Sequence, residues 1–125
     1  MQNKSLFERL GGKSGINKIV DDIVVLHSEN PVINARFLPI LEHPDKLDVI
    51  KMHTCEFLEA GSGGSNQYTG RSMHDAHRGM NINEVEYMAT IDDILAALRK
   101  NQIDEQTQKD VLAIAYSLKQ DILHV

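Results

Sequence analysis

The chemistry open to this chain rests on its six histidines: His27, His43, His53, His74, His77 and His124. Two of them fall in a polar stretch, Tyr68-Thr69-Gly70-Arg71-Ser72-Met73-His74-Asp75-Ala76-His77-Arg78-Gly79-Met80-Asn81-Ile82. The stretch reads as a loop that tightens into a turn or two of helix, which Gly79 ends because glycine tolerates positive φ. A histidine there is well placed to point a ring nitrogen into a cavity. Imidazole is a general metal ligand and an acid–base group near neutral pH. His74 and His77 have the i, i+3 spacing of a metal-binding pair, but no third carboxylate or cysteine stands where a zinc motif needs one. His43 and His124 read as solvated surface. His27 closes an apolar stripe near a helix C-terminus, where a cation is favoured, and reads as structural. Cys55 is the single cysteine. It excludes an internal disulfide, follows no nucleophile motif, and reads as a helix-packing thiol.

Helices must position these groups. Leu6, Phe7 and Leu10 form a short apolar face closed by Gly11-Gly12. Ser14 is a candidate cap for the next helix, whose stripe is Ile16, Ile19, Val20, Ile23, Val24 and His27. Pro31 ends it at Ser28-Glu29-Asn30. A short apolar segment, Val32 to Leu38, is expected to end at Pro39. Pro44 suits a first helical position, with Asp45 at the positive end of the dipole. Leu47, Ile50, Thr54, Phe57 and Leu58 then form one side of a helix, which His53 shares. Gly61-Ser62-Gly63-Gly64-Ser65 opens the loop toward the histidine stretch. Beyond it, Asn83 with Glu86 resembles a capping box for the stripe Val85, Met88, Ile91, Leu95 and Leu98. Asp104 caps a last helix carrying Val111, Ile114, Ala115, Leu118 and Ile122. No run alternates as a strand does, so the fold class is all-α.

His53 and His77 thus sit on separate elements facing one apolar interior. Such a histidine is ordinarily a core residue satisfied by one hydrogen bond. Two of them also suit opposite faces of a flat prosthetic group such as haem, whose iron takes one imidazole and tolerates a second.

At 125 residues the chain makes a single domain, residues 1–125, with a core large enough to hold a cofactor. Its composition is 42% hydrophobic and 25% charged, ordinary for a globular protein. The net charge of −5, without a Lys/Arg cluster, argues against a nucleic-acid partner. No long apolar run suggests a membrane span or signal peptide, so the expected location is cytoplasmic.

The ordered set of motifs resembles the group I truncated haemoglobins over nearly the whole chain. Leu6-Phe7-Glu8-Arg9-Leu10-Gly11-Gly12 is similar to that family's opening LYEKLGG pattern. Asn30-Pro31-Val32-Ile33 with Arg36-Phe37 matches its D-P-x-L/I-x-x-F-F segment, and Gly63-Gly64 its second glycine pair. Tyr68 to His77 is similar to the Y-x-G-x-x-M-x-x-x-H run that ends in the proximal ligand.

The resemblance implies a two-over-two helical sandwich around haem b. It implies His77 as proximal iron ligand and Phe37 as the aromatic wedged against the haem. Ile50, His53, Thr54 and Phe57 would line the distal side with Val24. Lys46, Tyr68 and Arg71 would meet the propionates, and Met73 lies in the matched motif. Val85, Met88, Ile91 and Leu118 would pack the ring edge. Val24 stands where many members carry an oxygen-holding tyrosine, and Thr54 where a glutamine often follows. His53 falls where a few members bind iron from the distal side, which implies a six-coordinate, bis-histidyl resting state opened by incoming O2, CO or NO. Leu118 stands where some relatives carry the histidine that attaches haem covalently, so non-covalent haem is expected. The implied activity is NO dioxygenation with a reductase partner. A non-catalytic oxygen binder, a gas or redox sensor, and a haem-free interaction module are the alternatives.

Overall fold

The computed structural model describes residues 4–125; Met1 to Asn3 lie outside the described residues. Eight helices follow one another: α1 (Leu6–Arg9), α2 (Gly12–Glu29), α3 (Asn34–Leu41), α4 (Pro44–Gly61), α5 (Met73–His77), α6 (Glu84–Lys100), α7 (Glu105–Ser117) and α8 (Lys119–Ile122). Four are long and four short, and no strand forms among the described residues.

Helix α2 is the hub, packing on α4 along one side and on α6 along another. Asp21 meets Lys51 of α4, while Asp22 meets Asn101 and Lys100 at the end of α6. Helices α6 and α7 form the second pair. The main core joins Leu10, Ile16, Ile19, Val20 and Ile23 to Ala97, Leu98 and Val111. Each aliphatic side chain buried to this degree contributes about 1.5–3 kcal/mol. A second cluster, Tyr87, Ile91 and Ile122, binds α6 to α8 and receives Met73 from α5.

The helix boundaries follow local chemistry. Asn83 and Glu86 complete their capping box at α6, and the Asp104 carboxylate accepts from Thr107 N–H at α7. Pro44 opens α4. Ser5 forms a further capping box with Glu8 at α1. Two expectations are corrected. Ser14 is no cap: α2 starts at Gly12 behind Gly11, whose φ of 95° reverses the chain left-handed. Pro39 does not end α3 but lies inside it. Its missing N–H deprives only the carbonyl of Ala35, and Ala35 is exposed, so water can serve that oxygen.

Gly15 has a packing reason. A Cβ there would stand 2.3 Å from the Leu10 carbonyl oxygen, which is backbone and cannot swing aside. Gly15→Ala gains up to about 1 kcal/mol in helix propensity. Overpacking costs about 1–3 kcal/mol and outweighs it. The variant is expected to lose about 1–2 kcal/mol in urea unfolding, with an unchanged m-value.

Candidate metal centre

Helix α5 is short and is held by its ends. Ser72 caps it by accepting from Asp75 N–H, and its main packing partner is α8. The segment just after His77 is then bound to the end of the chain. Gly79 and Asn81 donate backbone N–H to the Val125 carbonyl, and His124 N–H donates to the Ile82 carbonyl. His77 is therefore fixed on both flanks. Its Nδ1 lies 2.7 Å from the Met73 carbonyl oxygen. A carbonyl only accepts, so Nδ1 carries the proton and the lone pair sits on Nε2. That is the tautomer and the anchoring a metal-ligating imidazole uses.

His53 is arranged in the same way from α4. Its Nδ1 lies 3.1 Å from Glu56 Oε1, one turn along the same helix. Glu56 Oε1 also accepts from Thr69, at 2.8 Å from Oγ1 and 3.2 Å from the backbone nitrogen. These contacts, the Thr69 hydroxyl foremost and His53 next, hold the Glu56 carboxyl below its usual range. The Tyr68 ring stands edge-on to both His53 and Phe57, at centroid distances of 6.0 and 5.4 Å.

Several apolar side chains expected to line the site are left open by the protein. Ile50 of α4 is 39% exposed, and Met88 and Val85 of α6 are 38% and 69% exposed. Phe37 of α3 is half-buried, its ring 4.9 Å from that of His27. Thr54 turns its hydroxyl onto the Ile50 carbonyl of its own helix, 2.7 Å away. Its proton is thus committed within its own helix. Tyr68 likewise donates to the Arg71 carbonyl, so its proton does not serve a carboxylate at a cofactor edge. Lys46 and Arg71 are exposed side chains. Met73 contributes its carbonyl to His77 and its side chain to the Tyr87 cluster. Ile91 and Leu118 belong to that protein cluster too, rather than to an open edge.

The remaining histidines separate from these. His74 is exposed beside Asp75, 3.6 Å away, and no group of three metal-ligating side chains forms among the described residues. His43 and His124 are exposed. His27 is a buried, structural histidine, and burial pushes its pKa down against the opposing hydrogen bond to Asp93, so the cation favoured at a helix C-terminus is not what its surroundings suit. Its Nδ1 lies 2.7 Å from Asp93 Oδ2, and Asn30 donates to the same carboxylate. Asp93 and Glu56 were not singled out in the sequence. Glu56 was visible there as the i+3 neighbour of His53, whereas Asp93 lies far along the chain from His27. Cys55 is half-buried against the main core, and burial raises its thiol pKa, with Glu59 and Asp21 adding to the rise. It stays a packing thiol.

The His27 shift has a sign that can be measured. The unfolded chain takes up a proton at His27 below about pH 6.5, while the folded chain takes it up only at lower pH. The unfolded state then binds more protons, so stability is full above about pH 6.5 and declines as pH falls through the folded pKa. Urea melts from pH 7.5 to 5 should show that decline, and His27→Gln should flatten it. His27→Ala, which leaves the Asp93 carboxylate short of a donor, should cost about 1–3 kcal/mol at pH 7.5.

Residues 5–124 match the family model of the bacterial-like globins. The chain belongs to this globin family. It is similar to the group 1 truncated haemoglobin of Tetrahymena pyriformis, with 24% identity over 120 residues that cover 96% of this chain and 95% of that protein. The solved Fe(III) structure of the Tetrahymena pyriformis truncated haemoglobin superposes with a TM-score of 0.88, covering 98% of this chain and all 100% of that one, at 22% identity. The 2/2 haemoglobin of a Synechococcus species, solved in the cyanomet state with covalently attached haem, gives a TM-score of 0.83 over 96% of this chain and 98% of that one, at 22% identity. The all-α architecture is therefore the truncated-globin fold. Membership in the globin family implies haem binding and the binding of diatomic gases. The residues present fit such a group: two imidazoles whose Nδ1 atoms are each engaged by oxygen, and open apolar side chains on α4 and α6. No described helix of this globin is long and apolar enough to cross a membrane.

Proposed function

We propose that this globin holds haem b without a covalent bond, with His77 as proximal and His53 as distal ligand, and that it turns over nitric oxide. The observation that carries the reading is the matched state of the two imidazoles, each with Nδ1 engaged by an oxygen and the lone pair left on Nε2. When bound, haem supplies an iron that takes up diatomic gases and cycles between two oxidation states. The side chains do the rest. His77 anchors the group through a nitrogen oriented by the Met73 carbonyl. His53 would compete with gases for the iron, and the apparent gas affinity would fall by the fraction of molecules in which it is bound. Phe37, Ile50, Phe57, Val85 and Met88 would flank the ring and shed water against it, and exposed Lys46 and Arg71 would offer charge to its carboxylates.

Leu118 has no nucleophilic atom to attach the group, which supports non-covalent haem; acid acetone should extract it. With Val24 apolar and the Thr54 hydroxyl committed to Ile50, neither supplies a donor to hold oxygen. This supports oxygen consumption over storage. Nitric oxide, dioxygen and one electron together give nitrate, the electron coming from a reductase. A reducing, cytoplasmic setting suits that turnover. The test is spectral and kinetic. Ferric and deoxy-ferrous holoprotein should both show low-spin spectra, and the oxygenated form with a reductase should consume nitric oxide repeatedly. Stoichiometric gas binding without turnover would replace the enzyme by a binder or sensor, and absence of a Soret band would end the reading altogether.

A further inference from the structure

Glu56 is the side chain to which His53 is hydrogen-bonded. Its Oε1 gathers three contacts: His53 Nδ1 at 3.1 Å, Thr69 Oγ1 at 2.8 Å and Thr69 N at 3.2 Å. Two of these come from the loop that leads into α5, the helix of His77. The Glu56 side chain is itself only 15% exposed and that of His53 32%. The Tyr68 ring, one residue before Thr69, braces His53 from its edge. Other options for His53 are therefore few: Nδ1 is engaged, one rim is covered, and Nε2 is the remaining polar atom.

We propose that Glu56, fixed in turn by Thr69, is the positioning residue of the distal histidine. It rests on the bis-histidyl reading above and extends it. A carboxylate only accepts, so it holds the neutral imidazole as the Nδ1–H tautomer and leaves Nε2 as the donor atom toward a metal. The fixed rotamer and tautomer lower the entropy lost when that nitrogen ligates. Glu56 thereby favours the closed, His53-bound form. The Thr69 contacts make that form answer to the loop before His77, so the two histidines share one hydrogen-bonded frame. Partners of this kind typically set metal affinity by about 10–100-fold.

The test uses holoprotein, wild type against Glu56→Ala, Glu56→Gln and Thr69→Val, with two readouts: the ferric low-spin fraction from absorption spectra, and carbon monoxide association after flash photolysis of the ferrous form. Glu56→Ala should lose much of the low-spin fraction and bind carbon monoxide about tenfold faster. Glu56→Gln keeps an acceptor oxygen and should fall between it and wild type. Thr69→Val removes one of the three contacts and should move the same way by less. Should Glu56→Ala fail to fold, judged by circular dichroism, Glu56→Gln and Thr69→Val carry the test. A low-spin wild type, a high-spin His53→Ala and all three variants indistinguishable from wild type would overturn the role of Glu56 and leave bis-histidyl ligation standing. A rise in low-spin fraction in the variants would overturn it as well. A wild type that is high-spin in both oxidation states, unchanged in His53→Ala, would remove the ligation reading and this inference together.

Discussion

His77→Gly should leave a folded protein that no longer retains haem. The Soret band of the purified variant should be nearly absent, and millimolar imidazole should restore it. The expected effect is large because a partner of a ligand is already worth about 10–100-fold in metal affinity, and here the ligand itself is removed. Folding should survive because the His77 side chain is only partly buried and α5 is held from outside it. Ser72 caps the helix, Met73 anchors in the Tyr87 cluster, and Val125 holds the segment that follows. Imidazole rescue separates lost ligation from lost structure, since free imidazole supplies a nitrogen but cannot refold a chain. Full haem retention in His77→Gly, with an unshifted spectrum, would show that another residue holds the iron.

His53→Ala should convert the resting spectra from low to high spin in both oxidation states, and should accelerate gas binding. The magnitude follows from populations. If His53 is bound in all but one molecule in a hundred, the apparent association rate rises by about a hundredfold when it is removed. The substitution is mild for the fold, because His53 is one-third exposed and its loss strands only an oxygen of Glu56 that Thr69 continues to serve. Carbon monoxide association after rapid mixing gives the rate directly. The same rate in wild type and variant would mean that His53 never occupies the iron.

Particular residues show how far local pattern reached. The stripe Ile16, Ile19, Val20, Ile23 and His27 was plain in the sequence because a helical face repeats every three or four residues, and these five are buried together. The caps at Asn83 and Asp104 were equally plain, being chemistry within three residues. So was the neighbourhood of His77, where a short polar helix precedes a glycine. Pro39 misled because a proline's usual effect on helices was applied where a single solvated carbonyl made its cost small. Ser14 misled because two glycines upstream already turned the chain.

Read alone, the order of residues determined an all-α domain, its long helices and the two histidines worth attention, since each depends on near neighbours in the chain. Folding settled what depends on distant ones. Asp93 is 66 positions from His27, yet it is the partner that satisfies this buried histidine. Thr69 reaches back 13 positions to Glu56 and so ties the two histidine-bearing elements together. Thr54 and Tyr68 gave up their protons to carbonyls nearby, a choice of rotamer that residue type leaves open. Hydrogen bonds select partners by distance and angle in space, and only the packed chain sets those.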